Sequence, residues 1–141
     1  MKIILLGEDA VRLEPDAGAM TIEALSAEQQ YSPFHMLGSS LALCTFSLLH
    51  SWADTVKLSG DDLAIEVRWT FAEEPHRVGS ITMTLDWPSL PAARTATAER
   101  VAKLCPIHAT LHHPPEVSIA RTGGAPAAPA GGAVPAAAEA R

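Results

Sequence analysis

Long apolar runs, clustered basic residues and cysteines are what this 141-residue chain has least of. Hydrophobic residues make up 48% of it, yet no run approaches the roughly 18 residues that a membrane-spanning helix needs, so no membrane partner is expected. The 10 Lys and Arg are outnumbered by 16 Asp and Glu and form no patch. The positive surface that grips a phosphate backbone is therefore missing, and nucleic acid is not an expected partner. Neither common form of glycine-rich phosphate loop is present, nor is G-x-S-x-G, which removes the usual nucleotide and serine-hydrolase readings. Met1-Lys2 leads straight into IILLG, too short for a signal-peptide core and without a small-residue cleavage site, so a cytoplasmic location is expected. There the two cysteines rest as thiols, and a disulfide between them would be transient and catalytic rather than structural. Nothing in the sequence asks for a cofactor.

What is present reads as one domain over residues 1–121, followed by an Ala/Gly/Pro-rich stretch, 122–141, whose composition cannot build a packed core and is expected to be a disordered tail. KIILL (2–6), AVRLE (10–14) and AMTIEAL (19–25) are β-prone runs separated by turn residues, and they predict a small antiparallel meander. Ser32-Pro33 then supplies a capping residue and a proline at the first helical position. Phe34, Leu37, Leu41, Cys44, Leu48, Trp52 and Val56 follow at helical spacing, with Leu43, Phe46, Leu49 and Ala53 around them, so a long helix over about 33–58 is expected to be buried on several sides. One small meander cannot cover it, and a partner subunit is the simplest source of cover. DLAIEVRWTFA (62–72) and SITMTLDW (80–87) alternate with period two and predict a hairpin with one buried face. A second helix is expected from near Pro91, to be stopped or restarted by Pro106, and EVSIA (116–120) reads as a last strand. The order β-β-β-α-β-β-α-β makes an α+β domain.

Chemistry is concentrated in the two cysteines. Cys44, mid-helix among leucines, reads either as a small buried hydrophobe or, if an arginine approaches to lower its pKa, as a nucleophile. Cys105 stands before Pro106 and can occupy the N-cap of a short helical turn, where backbone N–H groups favour a thiolate; the alternative is a thiol packed beneath the hairpin. Cys105, His108 and His112 are spaced i, i+3, i+7 and would line one helix face as zinc ligands do, although Pro114-Pro115 cut that helix short. A binding module with an apolar pocket lined by Trp52, Trp69, Trp87, Phe34 and Phe46 is the non-enzymatic alternative.

SPFHMLGSSLALCTFSLL (32–49) and LCPIHATLHHPPEV (104–117) place one cysteine in a long apolar helix and the second as C-P after a second helix. In this order of elements the chain resembles the OsmC/Ohr family of thiol peroxidases over about residues 1–120. The resemblance implies an intertwined homodimer with two long central helices. It also implies a cycle in which Cys44 attacks a hydroperoxide substrate, Cys105 resolves the sulfenic acid as a disulfide, and a dithiol reductant reopens it. Members active on organic hydroperoxides carry an arginine in the N-terminal strands and a glutamate in an N-P-E helix start. Here that start is Ser32-Pro33-Phe34, which puts Phe34 at the glutamate position. His35 is the nearest polar substitute, though nine residues at 100° each would set it opposite Cys44. Arg12, alternating with Val11 and Leu13 and so pointing away from the face they bury, is the candidate arginine; Arg68 and Arg77 are further options.

Overall fold

The computed structural model describes residues 1–121 and Gly123; the expected tail, 122–141, otherwise lies outside the described residues. Five strands form one sheet, in the order β3 (Thr21–Ala24), β1 (Lys2–Gly7), β2 (Ala10–Glu14), β4 (Ala64–Glu73), β5 (His76–Asp86); the long helix packs on β2 and β4, and the two short helices pack on the long one. β1 (Lys2–Gly7) and β2 (Ala10–Glu14) form a hairpin in which Ile3 faces Leu13 and Leu5 faces Val11, and all four side chains are buried.

The expected meander is not what forms. β3 (Thr21–Ala24) pairs parallel to β1 rather than antiparallel to β2. The free side of β2 is taken instead by β4 (Ala64–Glu73), whose Ile65, Val67 and Trp69 bring far more apolar surface to the centre of the sheet. Leaving β2 at the end where β1 begins, the chain passes Met1, whose amino group donates to the Asp16 carbonyl at 2.6 Å and whose carbonyl accepts from Thr21 N–H at 3.1 Å. β3 is thereby set on the outer edge, with its residues exposed.

The predicted hairpin is present. β4 and β5 (His76–Asp86) pair antiparallel with Ile65, Val67 and Trp69 opposite Leu85, Met83 and Ile81, so one face of both strands is apolar. Ile65, Val67 and Trp69 of β4 are buried and Phe71 is exposed, while Ile81, Met83 and Leu85 of β5 are only half-buried. Trp87 follows β5 and anchors its end by donating from Nε1–H to the Ser59 carbonyl at 3.0 Å.

α1 (Pro33–Val56) starts where Ser32-Pro33 predicts and ends at Lys57 in the left-handed conformation. Its buried face differs from the expected stripe. Its buried residues are His35, Gly38, Ser39, Leu41, Ala42, Thr45, Phe46, Leu49 and Ala53. Phe34, Leu37, Cys44, Leu48, Trp52 and Val56 sit on a half-buried flank. Small residues win the sheet side because the helix lies close there: a Cβ added at Gly38 would stand 2.8 Å from Cζ3 of Trp69.

After Trp87 a short 3-10 turn at Ala92–Arg94 leads into α2 (Thr95–Ala102), and α3 (Pro106–His112) follows as a separate helix, restarted at Pro106 as expected. The last expected strand is absent. Residues 114–121 form no strand, and Val117 and Ile119 are 85% and 98% exposed; their alternation is apolar, but they pair with no strand among the described residues. No described helix is long and apolar enough to cross a membrane.

Candidate active site

Both cysteines are free thiols, and the fold brings them together. Cys44 projects from the flank of α1, half-buried, while Cys105 stands in the break between α2 and α3, where it is fully buried. That break is firmly held: Cys105 N–H donates to the Ala102 carbonyl at 3.2 Å, and the Cys105 carbonyl accepts from Ala109 N–H at 3.0 Å. Pro106 forces the residue before it out of helical geometry, and Cys105 accordingly has φ −59° and ψ 125°, with its side chain at the N-cap of α3. The two thiols are near enough for each to shift the other's pKa.

Their surroundings push them in opposite directions. Burial, together with the hydrogen bond to Cys105, raises the Cys44 thiol above the ordinary range, and the Ile107 N–H only partly offsets this. Burial also disfavours charge on Cys105, but it is outweighed by Cys44 S–H, the His108 N–H, the Thr45 hydroxyl and the Ile107 N–H, so that Cys105 falls below the ordinary range. No side-chain bond caps the start of α3, and Thr45 Oγ1, completely buried, has no hydrogen-bond partner.

The other candidate residues lie elsewhere. Arg12 projects from the sheet face opposite α1, where its Nε binds Glu14 Oε1 at 2.9 Å and its Nη2 binds Asp86 Oδ2 at 2.7 Å; these two carboxylates raise its pKa further. Within the protomer it does not join the cysteines, so the outward direction read from β2 holds while the approach to Cys44 does not form. Arg68 is paired with Glu66, and Arg77 caps the Val78 carbonyl at 3.2 Å. His35 is buried beneath the start of α1. Its Nδ1 accepts from Ser32 N–H at 3.1 Å and faces the Ser32 hydroxyl at 2.7 Å, its Nε2–H donates to the Gly7 carbonyl at 2.7 Å, and its ring stands edge-on to Trp69. It ties the helix start to the β1–β2 turn and makes no contact with Cys44. Phe34, at the glutamate position, packs edge-to-face on Phe71 at 4.8 Å.

His108 and His112 stack with ring centroids 4.5 Å apart, and burial, then His112 and Lys103, lower the His108 pKa. Cys105 turns to α1 instead of joining them: among the described residues no three His, Cys, Asp or Glu side chains converge as metal ligands would. The two histidines close one end of a cleft of about 1090 Å³ floored by Leu37, Leu41, Ile81, Met83 and Leu85. Of the aromatic residues proposed for a pocket, Trp87 lines this cleft, Phe46 and Trp69 belong to the core, and Trp52 packs edge-on against Trp87. Thr45 escaped the sequence reading; its one signal was a polar residue beside Cys44 on a nearly all-apolar helix.

The family model described as OsmC-like protein matches residues 26–120. In fold, the chain is similar to a protein of Psychrobacter arcticus described as an osmotic stress induced and detoxification response protein. The two share 18% identity with a TM-score of 0.51, over 77% of this chain and 84% of that one. No curated protein matches the sequence.

Proposed function

The chain belongs to the OsmC-like protein family, and on that premise we propose that it is a cysteine-based peroxidase that reduces organic hydroperoxides or hydrogen peroxide through a Cys44–Cys105 disulfide cycle. The observation that carries the reading is that the chain's only two cysteines, both free and on separate elements, lie near enough to shift each other's pKa. Cys44 is the half-exposed member and meets the hydroperoxide, and its sulfur takes the terminal oxygen to become a sulfenic acid. Cys105, close by, displaces that oxygen as water and closes the disulfide, which a dithiol reductant reopens. The catalytic unit is the domain over residues 1–121. It works in the cytoplasm as a homodimer in which the partner covers the half-buried flank of α1 and the open apolar face of β5.

A second reading, a binding protein for an apolar small molecule, is supported by the cleft of about 1090 Å³ and by Phe34 at the glutamate position. Hydroperoxide consumption by the reduced protein in the presence of excess dithiol separates the two. The peroxidase turns over, the Cys44→Ser variant does not, and the Cys105→Ser variant, oxidised with the dithiol left out, stops at a sulfenic acid that a dimedone-type probe traps. A wild-type protein that consumes no hydroperoxide contradicts the peroxidase reading and leaves the binding one.

A further inference from the structure

The cleft of about 1090 Å³ carries charge that the cysteine cycle does not use. Its volume stands slightly above the usual range of small-molecule sites, about 300–1,000 Å³. Leu37 and Leu41 from α1 and Ile81, Met83 and Leu85 from β5 make an apolar floor. Across the chain Asp and Glu outnumber Lys and Arg by 16 to 10, yet the lining of the cleft reverses that balance. Arg77, Lys103, His108 and His112 stand on it against one carboxylate, Glu99. Low-dielectric walls that carry mainly one sign of charge focus their field on whatever enters.

Several basic side chains elsewhere are already matched. Lys2 pairs with Glu14 and Glu23, Arg12 with Glu14 and Asp86, and Arg68 with Glu66, while His50 and His76 lie 3.5 and 3.6 Å from Asp54 and Glu73. The four on the cleft form no ion pair among the described residues, and Glu99, one turn before Lys103 on α2, is not paired with it. His108 and His112 stand on successive turns of α3 with ring centroids 4.5 Å apart. Burial first, then His112 and Lys103, lower the His108 pKa: basic groups crowd this end of the cleft, and an anion among them would relieve their repulsion. A carboxylate only accepts hydrogen bonds, on two oxygens, and an ammonium with two imidazoles can supply the donors.

We propose that the cleft binds an amphiphilic anion, an unbranched apolar chain ending in a carboxylate, with the chain on Leu37, Ile81 and Met83 and the carboxylate held by Lys103, His108 and His112. The proposal goes beyond the cysteine cycle and rests on the second reading, that this cleft is a binding site.

The test is isothermal titration calorimetry of the full-length reduced protein at neutral pH and low ionic strength, with decanoate, decanol and decyltrimethylammonium as ligands of one chain length and three charges. Decanoate should bind about tenfold more tightly than decanol, and the cation more weakly than either, as expected where a charge-assisted hydrogen bond is added to the same apolar contact. Raising the salt to about 0.5 M should weaken decanoate alone. Lys103 is exposed, so Lys103→Gln keeps the fold; it should lower the affinity for decanoate about fivefold and leave that for decanol within about twofold. A lysine with a merely structural role would not discriminate between ligands by their charge. Met83→Trp, which fills the floor, should abolish the binding of both. Decanol binding as tightly as decanoate, or a Lys103→Gln variant with unchanged preference, overturns the anion site and leaves the cleft an apolar one. Undiminished decanoate binding by Met83→Trp overturns it too, because the ligand then lies elsewhere. If none of the three ligands binds, as when a second copy is seated in the cleft, the binding reading falls and the proposal falls with it; hydroperoxide turnover bears on neither result.

Discussion

Replacing His35 with alanine separates a structural role for this buried imidazole from a catalytic one. The ring makes three polar contacts and one aromatic contact: Nε2–H to the Gly7 carbonyl at 2.7 Å, Nδ1 to the backbone N–H and hydroxyl of Ser32, and its edge against Trp69 at 5.3 Å between centroids. Losing the bond to Gly7 strands a partly buried carbonyl, at a cost of about 1–2 kcal/mol. The half of the capping box that the side chain supplies is worth about 0.5–1 kcal/mol. A ring-sized void beside Trp69 adds about 1–2 kcal/mol even if the surroundings partly collapse. The total expected is about 3–4 kcal/mol, which at a urea dependence of about 2 kcal/mol/M lowers the unfolding midpoint by roughly 1.5–2 M. Thiol acidity and the rate of reaction with hydroperoxide should stay within about twofold of wild type, a difference of only about 0.4 kcal/mol, because His35 touches neither cysteine. Urea unfolding followed by circular dichroism, and thiol alkylation measured without denaturant, give the two readouts. A variant of unchanged stability with slowed alkylation would refute the assignment and return His35 to the site.

Three further outcomes follow from particular contacts. Gly38→Ala should destabilise by about 1 kcal/mol, since the contact of 2.8 Å with Trp69 outweighs the helix-propensity gain from alanine; a stabilised variant would show that α1 lies further from the sheet. In the reduced protein, stability should pass through a maximum near the ordinary thiol pKa of about 8.5. Below that value folded Cys105 has lost a proton that the unfolded chain keeps, so stability rises with pH; above it Cys44 keeps a proton that the unfolded chain has lost, so stability falls. Cys105→Ala should abolish the rising limb, and a wild-type midpoint that ignores pH across this window would contradict the two opposed shifts. Arg12→Ala should cost about 1 kcal/mol or less, as expected of partly exposed ion pairs, and leave the thiol titration where it was; a shifted titration would place Arg12 at the cysteines of a partner subunit.

Local signals in the sequence located much of this molecule. Ser32-Pro33 marked the start of α1 because a cap and a proline act within one turn, and Cys105-Pro106 marked the break before α3 for the same reason. The hairpin of β4 and β5 followed from period-two alternation and a short connection. What failed was non-local. β3 reads like its neighbours, but its place beside β1 is decided by the competition of β4 for β2, which no local pattern encodes. The apolar stripe of α1 was counted by hydrophobicity, whereas close packing on the sheet selects small side chains such as Gly38; of the flank, Leu37 lines the cleft instead. EVSIA alternates as a strand should, yet strand formation needs a partner, and Val117 and Ile119 pair with no strand among the described residues. At the site, the two cysteines were legible as the only pair available, and the helical count already set His35 opposite Cys44. Thr45 was not legible, because its role depends on what crosses α1 from α3.

The central claim is that Cys44 and Cys105 form one redox pair. Its most direct test is the intact mass and disulfide map of the reduced protein after an equimolar amount of hydroperoxide. Both thiols should be lost, with a mass lower by two hydrogens and one cross-linked peptide joining Cys44 to Cys105 of the same chain, and the Cys105→Ser variant should be heavier by one oxygen on Cys44. Survival of both thiols in excess hydroperoxide, or a cross-link only between protomers, would contradict it.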